Sequence, residues 1–193
     1  MTTEQDAETD GRRRRAQDSR ARIVAAMLDL TQTGNVSASA ELVAERAGVG
    51  LRTVFRHFKD MDSLYREMSL IIEARVVGEV DRAFTSADWR GQLEELIHRR
   101  ATLFEMITPY KRAEAAQRHR SRFLEEDIRR LNCRLREILA EILPAAVVGD
   151  GMAFEALDLL LSFESWDRLR REQNLSPEQA RAVLGQAAGR LLG

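Results

Sequence analysis

Residues 38–64 read ASAELVAERAGVGLRTVFRHFKDMDSL. Ser39 is placed to cap a first short helix whose inward face is Val43, Ala44 and Ala47. Gly48 follows Ala44 by four residues, where the chain must reverse and glycine enters the left-handed region at little cost. Ala44 is small, as it must be if a second helix is to cross close over the first. Val49 and Val54 fill the angle between the two. The second helix then offers Leu51, Arg52, Thr53, Phe55, Arg56 and His57, of which Arg52, Thr53, Arg56 and His57 can hydrogen-bond phosphates or base edges. A short helix, a glycine turn and a second short helix is the layout that lays one helix in the DNA major groove.

The glycine turn alone is a weak signal, and its surroundings strengthen it. The string AERAG-V-x-x-x-T-V-F-R-H-F-x-x-x-x-x-L closely resembles the DNA-binding domain of the TetR family of bacterial transcriptional regulators. Residues 19–34, with Ile23, Ala26, Met27 and Leu30 on one face, are similar to that family's first helix. The resemblance covers roughly residues 19–70. It implies a sequence-specific DNA-binding regulator that acts as a homodimer on a palindromic operator, with release of a repressor by a small apolar or amphipathic ligand. The DNA-binding set it implies is Ser39, Gly50, Leu51, Arg52, Thr53, Phe55, Arg56, His57 and Lys59. Three positions depart from the family pattern. Phe55 stands where many members have a phosphate-binding tyrosine, and is expected to pack against backbone or core. Met61 stands where a lysine is common, and Thr31 replaces a common phenylalanine. A helical binding or scaffold protein that keeps this fold without operator recognition is the alternative.

Composition points to an all-α, cytoplasmic protein. Alanine, leucine, arginine and glutamate dominate, all good helix formers, and only three prolines interrupt 193 residues. No stretch approaches 18 consecutive apolar residues, so no membrane partner is expected. The net charge of −1 is segregated: residues 11–64 hold ten Arg and Lys against six acids, leaving the rest acidic. That is the distribution expected of a nucleic-acid-binding head on a neutral chain. One cysteine, Cys133, excludes an internal disulfide framework and reads as core or boundary packing. His57, His98 and His119 are dispersed, and neither a glycine-rich phosphate loop nor a nucleophile motif is present. No catalytic residue, metal site or cofactor is therefore expected.

Start and stop signals divide the chain into a disordered arm over residues 1–17, a three-helix helix-turn-helix domain over 18–62, and a helical ligand-binding and dimerisation domain over 63–193. The arm carries a basic run over residues 12–15, either a solvated tail or a segment that reaches phosphates. A long helix over about 60–84 links the domains, with Leu64, Met68, Ile71, Ile72 and Arg75 along it. The next helix runs from Trp89 and is expected to stop at Pro109. A long pattern follows over 110–143, with a break expected near 118–121, then a helix over 150–173. Ser176, Pro177 and Gln179 form a capping box that opens the last helix.

The last two helices are apolar around more than one face, the mark of a four-helix interface between two copies. Leu161, Trp166, Val183, Leu184, Gly185 and Ala188 are the expected contacts. The middle helices place Arg100, Phe104, Gln117, Arg120 and Glu164 on core-facing stripes. Buried polar groups need partners. These five either pair internally, Arg100 or Arg120 with Glu164, or anchor a small-molecule effector in an apolar cavity.

Overall fold

A computed structural model describes residues 3–118 and 121–193, with side chains over 14–118, at 121 and over 123–193. The described residues are helical, without strands. The helices are α1 (Thr3–Gln32), α2 (Ala40–Ala47), α3 (Leu51–His57), α4 (Met61–Val80), α5 (Trp89–Gln117), α6 (Arg122–Ile142), α7 (Ala145–Gly149), α8 (Gly151–Leu160), α9 (Phe163–Asp167) and α10 (Pro177–Leu192). They form two compact units. The first comprises residues 1–72 and 109–125, the second residues 73–108 and 126–193. The division differs from the one expected at residue 62: the first twelve residues of α4 and a later segment around the end of α5 belong to the N-terminal unit.

In the first unit, Ile23, Ala26, Met27 and Leu30 of α1 are buried as expected, together with Val43, Ala44, Val54, Phe58, Leu64 and Met68. Thr31 is also fully buried, and its hydroxyl donates to the Met27 carbonyl at 2.9 Å. That internal bond satisfies the hydroxyl inside the core. Hydrogen bonds join the segment over 109–125 to the rest of this unit: the Gln32 amide donates to Tyr110 Oη at 2.8 Å, and the Gln117 amide to Ser37 Oγ at 2.9 Å and the Val36 carbonyl at 3.4 Å. α1 reaches back to Thr3, so residues 3–17 continue the helix instead of forming a disordered arm. Its acidic beginning and the arginines that follow favour a helix on charge grounds, since acids suit a helix N-terminus. Arg14 and Arg15 are exposed on this extension, and the Arg12 and Arg13 side chains lie outside the described residues.

In the second unit, Leu93, Leu96, Ile97, Leu103, Phe104 and Ile107 of α5 are buried, as are Leu135, Ile138, Leu139 and Ile142 of α6. Pro109 does not end a helix: α5 runs through it to Gln117, and α6 opens at Arg122; of the break expected at 118–121, residues 119 and 120 lie outside the described residues. A proline inside a helix costs about 3 kcal/mol through a lost backbone bond and a ring clash. It falls at the junction of the two units, and the Thr108 hydroxyl donates to the Phe104 carbonyl at 2.6 Å beside it. The connection over 81–88 is clamped from α5. Glu95 accepts from the backbone N–H and hydroxyl of Thr85 and of Ser86, while Arg99 Nη2 donates to the Ala83 carbonyl at 2.7 Å.

The helix expected over 150–173 is three pieces. Asp150 caps α8 through the backbone N–H groups of Met152 and Ala153. The chain leaves the helix at Leu161, and Ser162 caps α9 by accepting from Ser165 N at 3.2 Å. Arg168–Glu172 then winds as a π-helical turn. Cys133 is exposed, not packed, because it faces away from the Leu135–Ile142 stripe of α6.

Candidate nucleic-acid interface

The turn between α2 and α3 has the geometry its residues demand. Ser39 Oγ accepts from Leu42 N at 3.3 Å, capping α2. Gly48 takes φ 63° and ψ 41°, and Val49 N donates to the Ala44 carbonyl at 3.0 Å. The left-handed residue thus satisfies the last carbonyls of α2 while turning the chain. Gly50 leads into α3, whose only buried residue is Val54. Every other face of this short helix is wholly or partly open.

On that surface Arg52 and Arg56 are exposed one turn apart, Thr53 is half-buried, and Gly50 and Lys59 are exposed. Phe55 is 48% exposed, against the expectation that it packs inward. Phe58, fully buried three residues on, occupies the core in its place. His57 is half-buried, with Nε2 inside and without a hydrogen-bond partner among the described residues. Burial, and then the charges of Arg56 and Arg20, hold its imidazole below the usual histidine pKa. A neutral ring with a sheltered Nε2 suits packing at the end of α3 better than phosphate contact.

Arg20, which sequence reasoning missed, fixes the far end of this helix. Its guanidinium donates to the His57 carbonyl at 3.0 Å and to Glu67 Oε2 at 2.8 Å, and stacks over the Phe58 ring at 4.4 Å. One α1 side chain thereby ties α3 to α4. A half-exposed ion pair contributes only roughly 0.2–1 kcal/mol, so its main effect is orientation. No local motif announces it, since its partners lie 37 and 47 residues away.

Residues 23–68 match the family model described as bacterial regulatory proteins, tetR family. These residues form a TetR-type DNA-binding domain. No curated protein sequence matches this chain significantly. Three solved structures share its fold. A transcriptional regulator from Rhodococcus sp. Rha1 has a TM-score of 0.66 at 20% identity, covering 90% of this chain and 95% of that one. A candidate transcriptional regulator from Streptomyces coelicolor A3(2) has 0.61 at 24%, covering 90% and 97%. One from Pseudomonas aeruginosa PAO1 has 0.65 at 19%, covering 90% of each.

Of the five residues expected around an effector, Arg100, Phe104 and Glu164 belong to the second unit. Arg100 and Phe104 are buried in the second unit, where the Phe104 ring meets Phe163 edge-on at a centroid distance of 5.6 Å. Glu164 is exposed in the first turn of α9 and does not pair with Arg100. Gln117 belongs to the first unit, and Arg120 lies outside the described residues. Arg100 instead donates to two backbone carbonyls, Leu161 at 2.8 Å and Leu135 at 2.5 Å, and its Nε has no partner among the described residues. Burial lowers its pKa to about 10, against the opposing pull of Asp158. It still carries its charge at neutral pH. Beside it opens a cleft of about 250 Å³ lined by Asn132, Leu135, Asp158, Leu161, Ser162 and Phe163. Asn132, Asp158 and Ser162 had no signal in the sequence, because their convergence depends on the break at Leu161.

The expected dimer contacts also divide. Leu161, Trp166, Leu184 and Ala188 are buried within the single chain and belong to its own core. Trp166 Nε1 donates to Glu105 at 2.9 Å. Gly185 is half-buried and Val183 is 43% exposed. The exposed apolar side chains of this region are Met152 and Leu159 on α8, and Val183 and Leu191 on α10. Among the described residues no group of His, Cys, Asp and Glu is arranged to hold a metal ion, and no helix is long and apolar enough to cross a membrane.

Proposed function

We propose that this protein is a homodimeric, sequence-specific repressor that acts on a palindromic operator in the cytoplasm and is released by a small amphipathic effector. The observation that carries the reading is α3 itself: one buried anchor, Val54, and exposed Arg52 and Arg56 on a helix oriented by the Gly48 turn and by Arg20. Such a helix presents guanidinium groups to base edges and phosphates, and two copies supply the two half-sites of a palindrome. Exposed Ser39, Gly50 and Lys59 and half-buried Thr53 are the further contacts of this reading.

The effector site of this reading is the cleft beside Arg100. Asn132, Asp158 and Ser162 supply polar anchors, and Leu135, Leu161 and Phe163 an apolar wall. The volume suits a small molecule with a polar end. The route to the DNA head runs through continuous helices: α4 and α5 each have residues in both units. The end of α5 is fastened to the head by the Tyr110 and Gln117 hydrogen bonds. A tenfold release needs about 1.4 kcal/mol of coupling, and operator must weaken effector binding by the same factor.

The test is titration of labelled duplexes at several salt concentrations. An operator binder gives a log affinity that falls linearly with log salt, plus a preference for the operator over scrambled duplex that survives at each salt. Binding without that preference, or none, favours the scaffold alternative.

A further inference from the structure

We propose that Leu51 and Phe55 form a methyl-reading edge of α3, which selects thymine at fixed positions of each half-site. The inference rests on the operator-recognition reading and deepens it. Leu51 is 37% and Phe55 48% exposed, and they stand four residues apart, one helical turn, on the same side of α3. Neither is needed for the core, which takes Val54 and Phe58 from this stretch. Single exposed apolar residues are common on protein surfaces. Here two are stacked, and each is followed by an exposed arginine, Arg52 after Leu51 and Arg56 after Phe55.

That pairing defines the occupant. The arginines demand an anionic or acceptor-rich surface, and the apolar pair demands methyl groups within it. A duplex major groove offers both, because the C5-methyl of thymine is the apolar group that a base presents there, while guanine offers N7 and O6 to arginine. Phe55 has no hydroxyl with which to bond a phosphate, so its ring gains by covering a methyl. The expected half-site therefore places thymine beside the guanine read by an arginine.

The experiment selects duplexes from a random library with the full chain. It then replaces each thymine of the enriched duplex singly with deoxyuridine, which pairs as thymine does but lacks the methyl. The expected result is a loss of about fourfold in affinity per contacted methyl, at one or two positions of each half-site. Phe55→Ala or Leu51→Ala should abolish the penalty at its own position while keeping the salt dependence. Phe55→Leu, still apolar, should retain part of it. Melting temperatures of the variants separate this effect from misfolding. An enriched duplex that tolerates deoxyuridine everywhere, or a penalty equal in parent and variants, overturns the inference and leaves operator recognition standing. If no duplex is enriched at all, the operator-recognition reading fails and the inference falls with it.

Discussion

Arg52 and Arg56 stand free on α3, and their removal can be read without disturbing the fold. Arg52→Ala or Arg56→Ala should weaken operator binding by about 1–3 kcal/mol where the side chain reads a base, with relaxed specificity at that position. Anisotropy against operator and point-substituted duplexes measures it, and the melting temperature should hardly move. Arg100 is the opposite kind of arginine. Its replacement by methionine leaves the carbonyls of Leu135 and Leu161 without their donor, each worth about 1–3 kcal/mol when buried. Urea unfolding of Arg100→Met should show a loss of about 2–4 kcal/mol. The contrast explains what a sequence discloses at this scale. Ser39 and Gly48 were legible because their partners lie within four residues. The two acceptors of Arg100 lie 35 and 61 residues away, so no local pattern discloses them.

The α2–α3 turn depends on one dihedral angle. A Cβ on Gly48 would meet only the tip of Arg22 at 4.0 Å, so the cost of Gly48→Ala is backbone strain alone, about 1–2 kcal/mol. Chemical denaturation should register it, and operator affinity should fall with the misdirected α3. The α4–α5 connection is held differently, by charge. Four donors from Thr85 and Ser86 hold the Glu95 carboxyl at about 2, well below its ordinary 4.5. A depressed carboxylate stabilises the fold above its unfolded pKa and loses that contribution as pH falls through the folded one. Glu95→Gln should therefore melt below the parent at pH 6. The gap should close between pH 4.5 and 2, as a series of thermal melts can show. Element boundaries were legible where caps are local, as at Asp150 and Ser176. Pro109 misled because tertiary packing on both sides carries α5 through a residue that would stop an isolated helix.

Two adjacent helices of the whole molecule expose apolar residues that its own core does not use. α8 and α10 pack together, and Met152, Leu159, Val183 and Leu191 remain open to solvent. If this surface joins two copies, Leu159→Glu and Val183→Glu should give folded monomers that no longer bind a palindrome. Leu161→Glu should unfold the chain, since Leu161 is buried within it. Sedimentation at micromolar concentration with circular dichroism separates the two outcomes, and a wild-type monomer would end the dimer proposal. The pattern of apolar residues marked α8 to α10 as rich in apolar side chains, and Trp166, Leu184 and Ala188 among them are buried within the single chain. A side chain buried inside one subunit and one buried between two have the same spacing along a helix, so only the packed fold distinguishes them.

The π-helical turn over Arg168–Glu172 has a consequence for length variation. Gln173 N donates to the Arg168 carbonyl at 3.1 Å, five residues back instead of four, so the turn holds one residue more than a regular helix needs. A deletion in an ordinary helix rotates everything beyond it by about 100°, given 3.6 residues per turn. Here the loss of exposed Arg171 would let the turn relax to regular spacing. The link over 173–176 would absorb the small displacement before α10. The segment is thus a place where close relatives can differ in length by one residue and keep the same fold.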